Sequence, residues 1–407
     1  MFILSLLIIL IAVGLGRILS RAIKQPVILG EIILGMILGN LGYLVLVGPI
    51  PQLVDIQSLQ SLIFTGDDLK IMSHLADIGI ILLLFSTGLA INFEEFKRLE
   101  IASSVVASLG VIFPFLLGYL VAIFFGFSTI IALYLGISLV ATSVGVNASI
   151  LTELKMLRTR LGTLIMGAAV VDDVIGVVMI SALVGIVVTG TIPLARISLL
   201  VVFVVLFFLI ALTLGIKGFR KFSEKIHLGK ESVLLLGLIV VLLFGLITEE
   251  IGLASIVGAF VAGLVVGQSR LAAEVREHVS LIGGAFFIPI FFVFMGTKFD
   301  VRAFLTIGLF AVVLLIVAII GKIVGCGGGA KISKFSGRES FAVGIAMIPR
   351  AGVELILLKF ALDYKIIGSN IASAILIMII VTTLITPPLL VKALKMIRKE
   401  KKENEKV

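Results

Sequence analysis

Long apolar runs recur from Phe2 to Val391, separated by short polar connections. Most are about 17–25 residues, the length a helix needs to span the hydrocarbon of a bilayer. The pattern predicts thirteen membrane segments, at about 2–22, 27–48, 74–93, 101–126, 129–150, 160–188, 193–216, 232–248, 252–269, 280–297, 303–326, 340–362 and 369–391. Their contents imply an all-α polytopic membrane protein. The longest connection falls at residues 47–73, and the segment after Val391 is a short charged tail.

Two segments are interrupted. The fifth ends in ATSVGVNAS, which gathers Thr142, Ser143, Gly145, Asn147 and Ser149 in an otherwise apolar span. The twelfth contains MIPRAGVEL, with Pro349, Arg350, Gly352 and Glu354 near its middle. Proline removes a backbone donor and kinks a helix. Unwound backbone at membrane depth persists only where protein or a cavity surrounds it. One broken segment in each half of a chain is the sequence mark of a transport site between inverted repeats.

The sixth segment carries the sharpest chemistry. Its run from Leu161 to Val188 holds two charges, the adjacent Asp172 and Asp173. A charge at the bilayer centre costs at least about 2.5–3.5 kcal/mol on insertion scales, so such residues mark ion or proton pathways. Neighbouring residues on a helix point about 100° apart. One carboxylate can therefore meet a partner while the other faces an exchangeable cation or proton. Lys322, late in the eleventh segment, is the candidate partner, with snorkelling to the interface as the bland alternative. Glu31 and Asp77 lie near segment ends and are expected to reach the interface or cap a helix. Lys359 is expected to snorkel. Arg350 and Glu354, one turn apart, are expected to neutralise each other or the free helix ends.

Composition agrees with the runs and narrows the function. Hydrophobic residues make up 60% of 407, charged residues 14%, and mean hydropathy is +1.30. The single Cys326 rules out an internal disulfide and makes a thiolate metal site implausible. The histidines, His74, His227 and His278, fall at segment ends. The net charge of +9 lies in short loops, which points away from nucleic acid. With the N-terminus outside, the outer side holds Lys70, Arg196, Lys298, Arg302 and Lys365. Lys322, Arg350 and Lys359 lie inside segments, and the other twenty-five of the 33 basic residues face the cytoplasm. That bias predicts an N-terminus outside, a C-terminus in the cytoplasm and a location in the cell membrane.

Six stretches, in order, resemble a known family: GEIILGMILG at 30–39, LLLFSTGLAINF at 82–93, ATSVGVNASIL at 141–151, GAAVVDDVIG at 167–176, GKIVG at 321–325 and MIPRAGVEL at 347–355. They resemble the monovalent cation:proton antiporters, in particular the electrogenic Nha/Nap-type sodium/proton exchangers of the cation:proton antiporter 2 group. GAAVVDDVIG with GKIVG is the specific part. The resemblance implies Asp173 as the Na⁺ and proton site, Asp172 as the salt-bridge partner of Lys322, and Thr142, Ser143 and Asn147 near the ion or steadying the crossing. It implies a core domain at about 101–188 and 303–391, a panel at about 1–93 and 232–297 that forms a homodimer, a linker helix at 193–216, and a cytosolic tail at 401–407. It implies transport of Na⁺ or Li⁺ against H⁺, with no cofactor and no enzymatic step. Relatives often carry a glutamate directly after the Pro-Arg-Gly turn; here Ala351-Gly352-Val353 precede Glu354.

Three rival readings share the buried acids. An intramembrane aspartyl protease draws its two acids from different helices, whereas these are adjacent. A K⁺/H⁺ antiporter or K⁺ efflux protein of the same fold keeps potassium open as substrate. A sodium-coupled symporter of an organic anion fits the lysine and paired acids less well.

Overall fold

The computed structural model describes residues 2–40, 66–189, 191–226, 229–306, 308–350, 354, 357–358, 361–362 and 364–404. The connection after Asn40, His227, Lys359 and the last residues of the tail lie outside them. Among the described residues every regular element is helical. The helices are α1 (Phe2–Ala22), α2 (Val27–Gly39), α3 (Gly66–Ala90), α4 (Phe93–Arg98), α5 (Glu100–Phe124), α6 (Thr129–Ser138), α7 (Val144–Glu153) and α8 (Arg160–Thr189). There follow α9 (Leu194–Lys225), α10 (Lys230–Ile251), α11 (Ser255–Val266), α12 (Ala272–Thr297), α13 (Leu309–Ile332), α14 (Gly337–Ala346) and α15 (Ser369–Asn404). One π turn interrupts α9 at Ala211–Gly215 and another interrupts α12 at Gly283–Phe287.

Nine of these helices are long and apolar enough to cross a membrane. They correspond to nine of the thirteen predicted segments. Among the described residues the helices of the second, fifth and ninth segments are shorter than that, and the twelfth is described only in part. The fifth divides into α6 and α7, and α14 is the first half of the twelfth. Several ends differ from expectation. Helix α3 begins at Gly66 rather than near 74, and Met72, ahead of the expected start, is already fully buried. Helix α13 runs to Ile332 rather than 326, through Gly325–Ala330, which pack inward rather than ending the helix. Helix α15 passes through Pro387 and Pro388 and continues to Asn404.

Helices from the two halves of the chain pack against each other. The second segment, α2, lies against the tenth, α12; the ninth, α11, lies against the third, α3. Both contacts are made by glycines. A Cβ on Gly35 would overlap the Val293 carbonyl and press on Gly296, and one on Gly296 would overlap the Ile32 carbonyl and press on Gly35. Gly88 and Gly263 repeat the arrangement in the other pair, against the carbonyls of Phe260 and Phe85. Small residues let backbones close to van der Waals contact where lipid supplies no hydrophobic drive between helices. The fourth and eleventh segments, α5 and α13, pack along most of their length, and α13 also contacts α14 and α15.

Candidate functional site

The two broken segments cross each other. Ser143 caps α7, its hydroxyl accepting from the Val146 N–H at 3.5 Å. The residues between α6 and α7 run beside those that follow α14. The Ser143 N–H donates to the Pro349 carbonyl at 2.7 Å, and the Thr142 hydroxyl donates to the Met347 carbonyl at 3.3 Å. Arg350 Nη1 donates to the Ala141 carbonyl at 2.9 Å and reaches the Ser138 carbonyl at 3.5 Å. Those carbonyls lie at and just beyond the C-terminal end of α6, where a helix leaves acceptors unpaired and negative potential collects. A guanidinium there satisfies both. On the other side of Arg350, its own carbonyl accepts from the Thr383 hydroxyl of α15 at 2.5 Å.

Of the two outcomes expected for Arg350, neutralisation of a free helix end is realised and pairing with Glu354 is not. Arg350 goes to main-chain carbonyls of the other broken segment, and its Nε and Nη2 have no hydrogen-bond partner. Both oxygens of the buried Glu354 are also without one. The carbonyls freed by breaking α6 compete for the guanidinium and win it.

Asp172 and Asp173 lie near the middle of α8, and their surroundings differ. Lys322 Nζ donates to both oxygens of Asp172, each at 3.1 Å, and both side chains are 0% exposed. Lys322 lies ten residues before the end of α13, about 15 Å at the helical rise, which puts the interface beyond its reach. The Thr142 hydroxyl also neighbours the Asp172 carboxylate. Asp173 is buried and neither of its oxygens has a hydrogen-bond partner. Asn147, on α7, is buried with both Nδ2 and Oδ1 unpartnered. Buried polar groups are nearly always satisfied, and each orphan calls for a reason such as an absent ion or water.

A likeness over nearly the whole chain accompanies this geometry. The family profile described as sodium/hydrogen exchanger, transmembrane, matches residues 6–394.

The chain belongs to the sodium/hydrogen exchanger family.

This exchanger is 32% identical over 393 residues to the Na(+)/H(+) antiporter of Enterococcus hirae, covering 96% of this chain and 97% of that one. It is 30% identical over 394 residues to the Na(+)/H(+)-K(+) antiporter GerN of Bacillus cereus, covering 96% and 95%. In fold it is similar to the sodium proton antiporter MjNhaP1 of Methanocaldococcus jannaschii, with a TM-score of 0.68 at 17% identity, covering 97% of this chain and 98% of that one.

Several contacts of the exchanger escaped the sequence reading. Thr383 belongs to the crossing, and the run IIVTTLIT at 379–386 held the signal in its three threonines. Glu31 neither caps a helix nor reaches the surface; it is buried and takes a 3.3 Å ion pair from Arg17 Nε. Glu153, at the end of α7, accepts from the Val27 N–H at the start of α2 at 2.8 Å. Asp77 stands exposed, 4.0 Å from His74.

Proposed function

We propose that this exchanger moves cytoplasmic Na⁺ or Li⁺ outward in return for external H⁺ by alternating access, electrogenically, and that it serves sodium and pH homeostasis. The observation that carries the reading is one buried carboxylate paired to a lysine with its neighbour unpartnered, beside the crossing of two broken helices. Asp173 takes the dehydrated cation or a proton at the same oxygens, so each ion displaces the other. Asn147 Oδ1 is a neutral acceptor on the facing half-helix and serves as a further ligand. Asp172 holds Lys322, and that bond gives way when Asp172 is protonated. Two carboxylates and a lysine allow more protons than sodium ions per cycle, which makes the exchange electrogenic. Thr142, Ser143, Pro349 and Arg350 keep the two half-helix ends in register.

The bilayer is the cell membrane, with the N-terminus outside and the C-terminus in the cytoplasm, as the loop charges support. The segments at about 101–188 and 303–391 move as a core against a panel at about 1–93 and 232–297. Residues 193–216 form the link, and the panel forms the homodimer. Potassium is the second reading for the substrate, favoured by the Na(+)/H(+)-K(+) antiporter name of one relative.

Purified protein in liposomes with an internal pH dye tests the reading. A pH gradient is imposed, and Na⁺, Li⁺ or K⁺ is added to wild type and to Asp173→Ala. Sodium dissipates the gradient in wild type and not in the variant. Exchange at the wild-type rate by Asp173→Ala overturns the assignment, and dissipation by potassium alone selects the second reading.

A further inference from the structure

Glu354 lies four residues beyond Arg350 in the sequence, the spacing of a local ion pair. The structure spends the guanidinium elsewhere, on the Ala141 carbonyl at 2.9 Å. Glu354 is left 1% exposed with both oxygens unpartnered. It is within electrostatic range of Asp173, Asp172, Lys322 and Arg350. Charges in such a setting are weakly screened and act over distance.

The buried ionisable set around the crossing is then three carboxylates, Asp172, Asp173 and Glu354, and two cations, Lys322 and Arg350. With all five ionised the set is one unit negative, and one bound monovalent cation makes it neutral. Without the Glu354 charge the set is already neutral, and a cation arriving at Asp173 leaves an uncompensated positive charge in a medium that strongly disfavours one. Among the described residues no three His, Cys, Asp or Glu side chains come close enough to hold a metal ion together, so Glu354 does not complete such a cluster with the two aspartates.

We infer that Glu354 sets the cation affinity of the exchange site from a distance, by offsetting the positive charge of Arg350 so that Asp173 still attracts a monovalent cation. It is a positioning residue that acts through charge and does not touch the ion. The inference rests on the assignment of Asp173 as the cation site.

The test is cation-dependent exchange in liposomes at alkaline pH, where protons compete least. Wild type, Glu354→Gln, Glu354→Ala, Glu354→Asp and Asp173→Ala are each titrated with Na⁺ and with Li⁺. Both neutral variants at Glu354 are expected to raise the half-saturating Na⁺ and Li⁺ concentrations together, on the order of tenfold for one unit charge at an effective dielectric near that of protein sites. The Na⁺ to Li⁺ ratio stays at the wild-type value, because a distant field does not sense ionic radius. Glu354→Asp, which keeps the charge, stays within about twofold of wild type in this charge-based account. An unchanged half-saturation in the neutral variants overturns the inference. So does a changed Na⁺ to Li⁺ ratio, which makes Glu354 a ligand. Neutral variants that cannot fold while Glu354→Asp does make its role structural and overturn it as well. Wild-type exchange by Asp173→Ala sinks the underlying site assignment, a result distinguishable from every Glu354 outcome.

Discussion

The glycine crossings, Gly35 against Gly296 and Gly88 against Gly263, and the broken-helix crossing at residues 139–143 and 347–350 all bring main chains together in apolar surroundings. At the glycine crossings every backbone group stays inside its own helix, and closeness comes from removing side chains. At the broken crossing the helices end, and their freed carbonyls and N–H groups are met by Arg350, Ser143, Thr142 and Thr383. The first solution produces a rigid, uncharged contact. The second produces a place where charges persist in the interior, because helix ends and opened backbone offer them partners. Two buried cations and three buried carboxylates therefore gather around the broken crossing, whereas the glycine crossings are made by packing.

The largest expected effect separates the two regions by charge. Lys322→Ala leaves Asp172 buried and unpaired, and breaking a buried pair from one side costs about 3–5 kcal/mol. Thermal unfolding in detergent should show this loss, and Lys322→Ala with wild-type stability would mean Asp172 is not ionised beside it. Gly35→Leu comes next. Overpacking a tight contact costs about 1–3 kcal/mol, more if the helices part. The surviving folded fraction should keep the wild-type half-saturating Na⁺ concentration, and a shift there would tie the glycine crossing to the ion site. Thr383→Val removes one hydrogen bond from the Arg350 carbonyl, a change of about 1 kcal/mol. It should lower exchange rate and stability together.

The smallest effect is expected at an ion pair in water. Asp300 and Arg302 form a bidentate contact, with Arg302 Nη2 to Asp300 Oδ2 at 2.8 Å, shorter than the buried Lys322–Asp172 bonds. The Arg302 hydrogen bonds hold the Asp300 carboxyl below its ordinary range, against a smaller opposing push from burial. The Arg302 side chain is 66% exposed and that of Asp300 37%, so solvent screening leaves no more than about 1 kcal/mol. A lowered carboxyl contributes stability that is complete above its unfolded value of about 3.9 and is lost as pH falls through the lower folded value. Arg302→Gln should therefore differ slightly from wild type at neutral pH and converge with it in acid and in high salt. A difference that persists in acid would mean the pair is not its source.

The residues explain what was legible in advance. Asp172 and Asp173 stood out because no other charge shares their apolar run, and local contrast needs no partner to be seen. The breaks in the fifth and twelfth segments showed in Pro349 and in the polar cluster at 142–149 for the same reason. Lys322 was ambiguous until the extent of α13 put it well inside the fold. For Arg350 the sequence left two outcomes open, the acid four residues on and the free helix ends, and the structure takes the second, in carbonyls about two hundred positions earlier. Nothing marks Gly35 and Gly263 among 42 glycines, since a glycine carries no side chain to reveal its neighbour.

By itself the sequence determined the class of protein, the approximate positions of nine spans, the two breaks and the buried acid pair, because hydropathy, proline and charge are local properties read against lipid. Only the tertiary structure decided which acid takes the lysine, where the arginine points, which carboxylates remain unpartnered and which glycines meet. Those outcomes depend on side chains and backbone ends brought together from distant parts of the chain, where competing partners are chosen by distance and desolvation rather than by spacing.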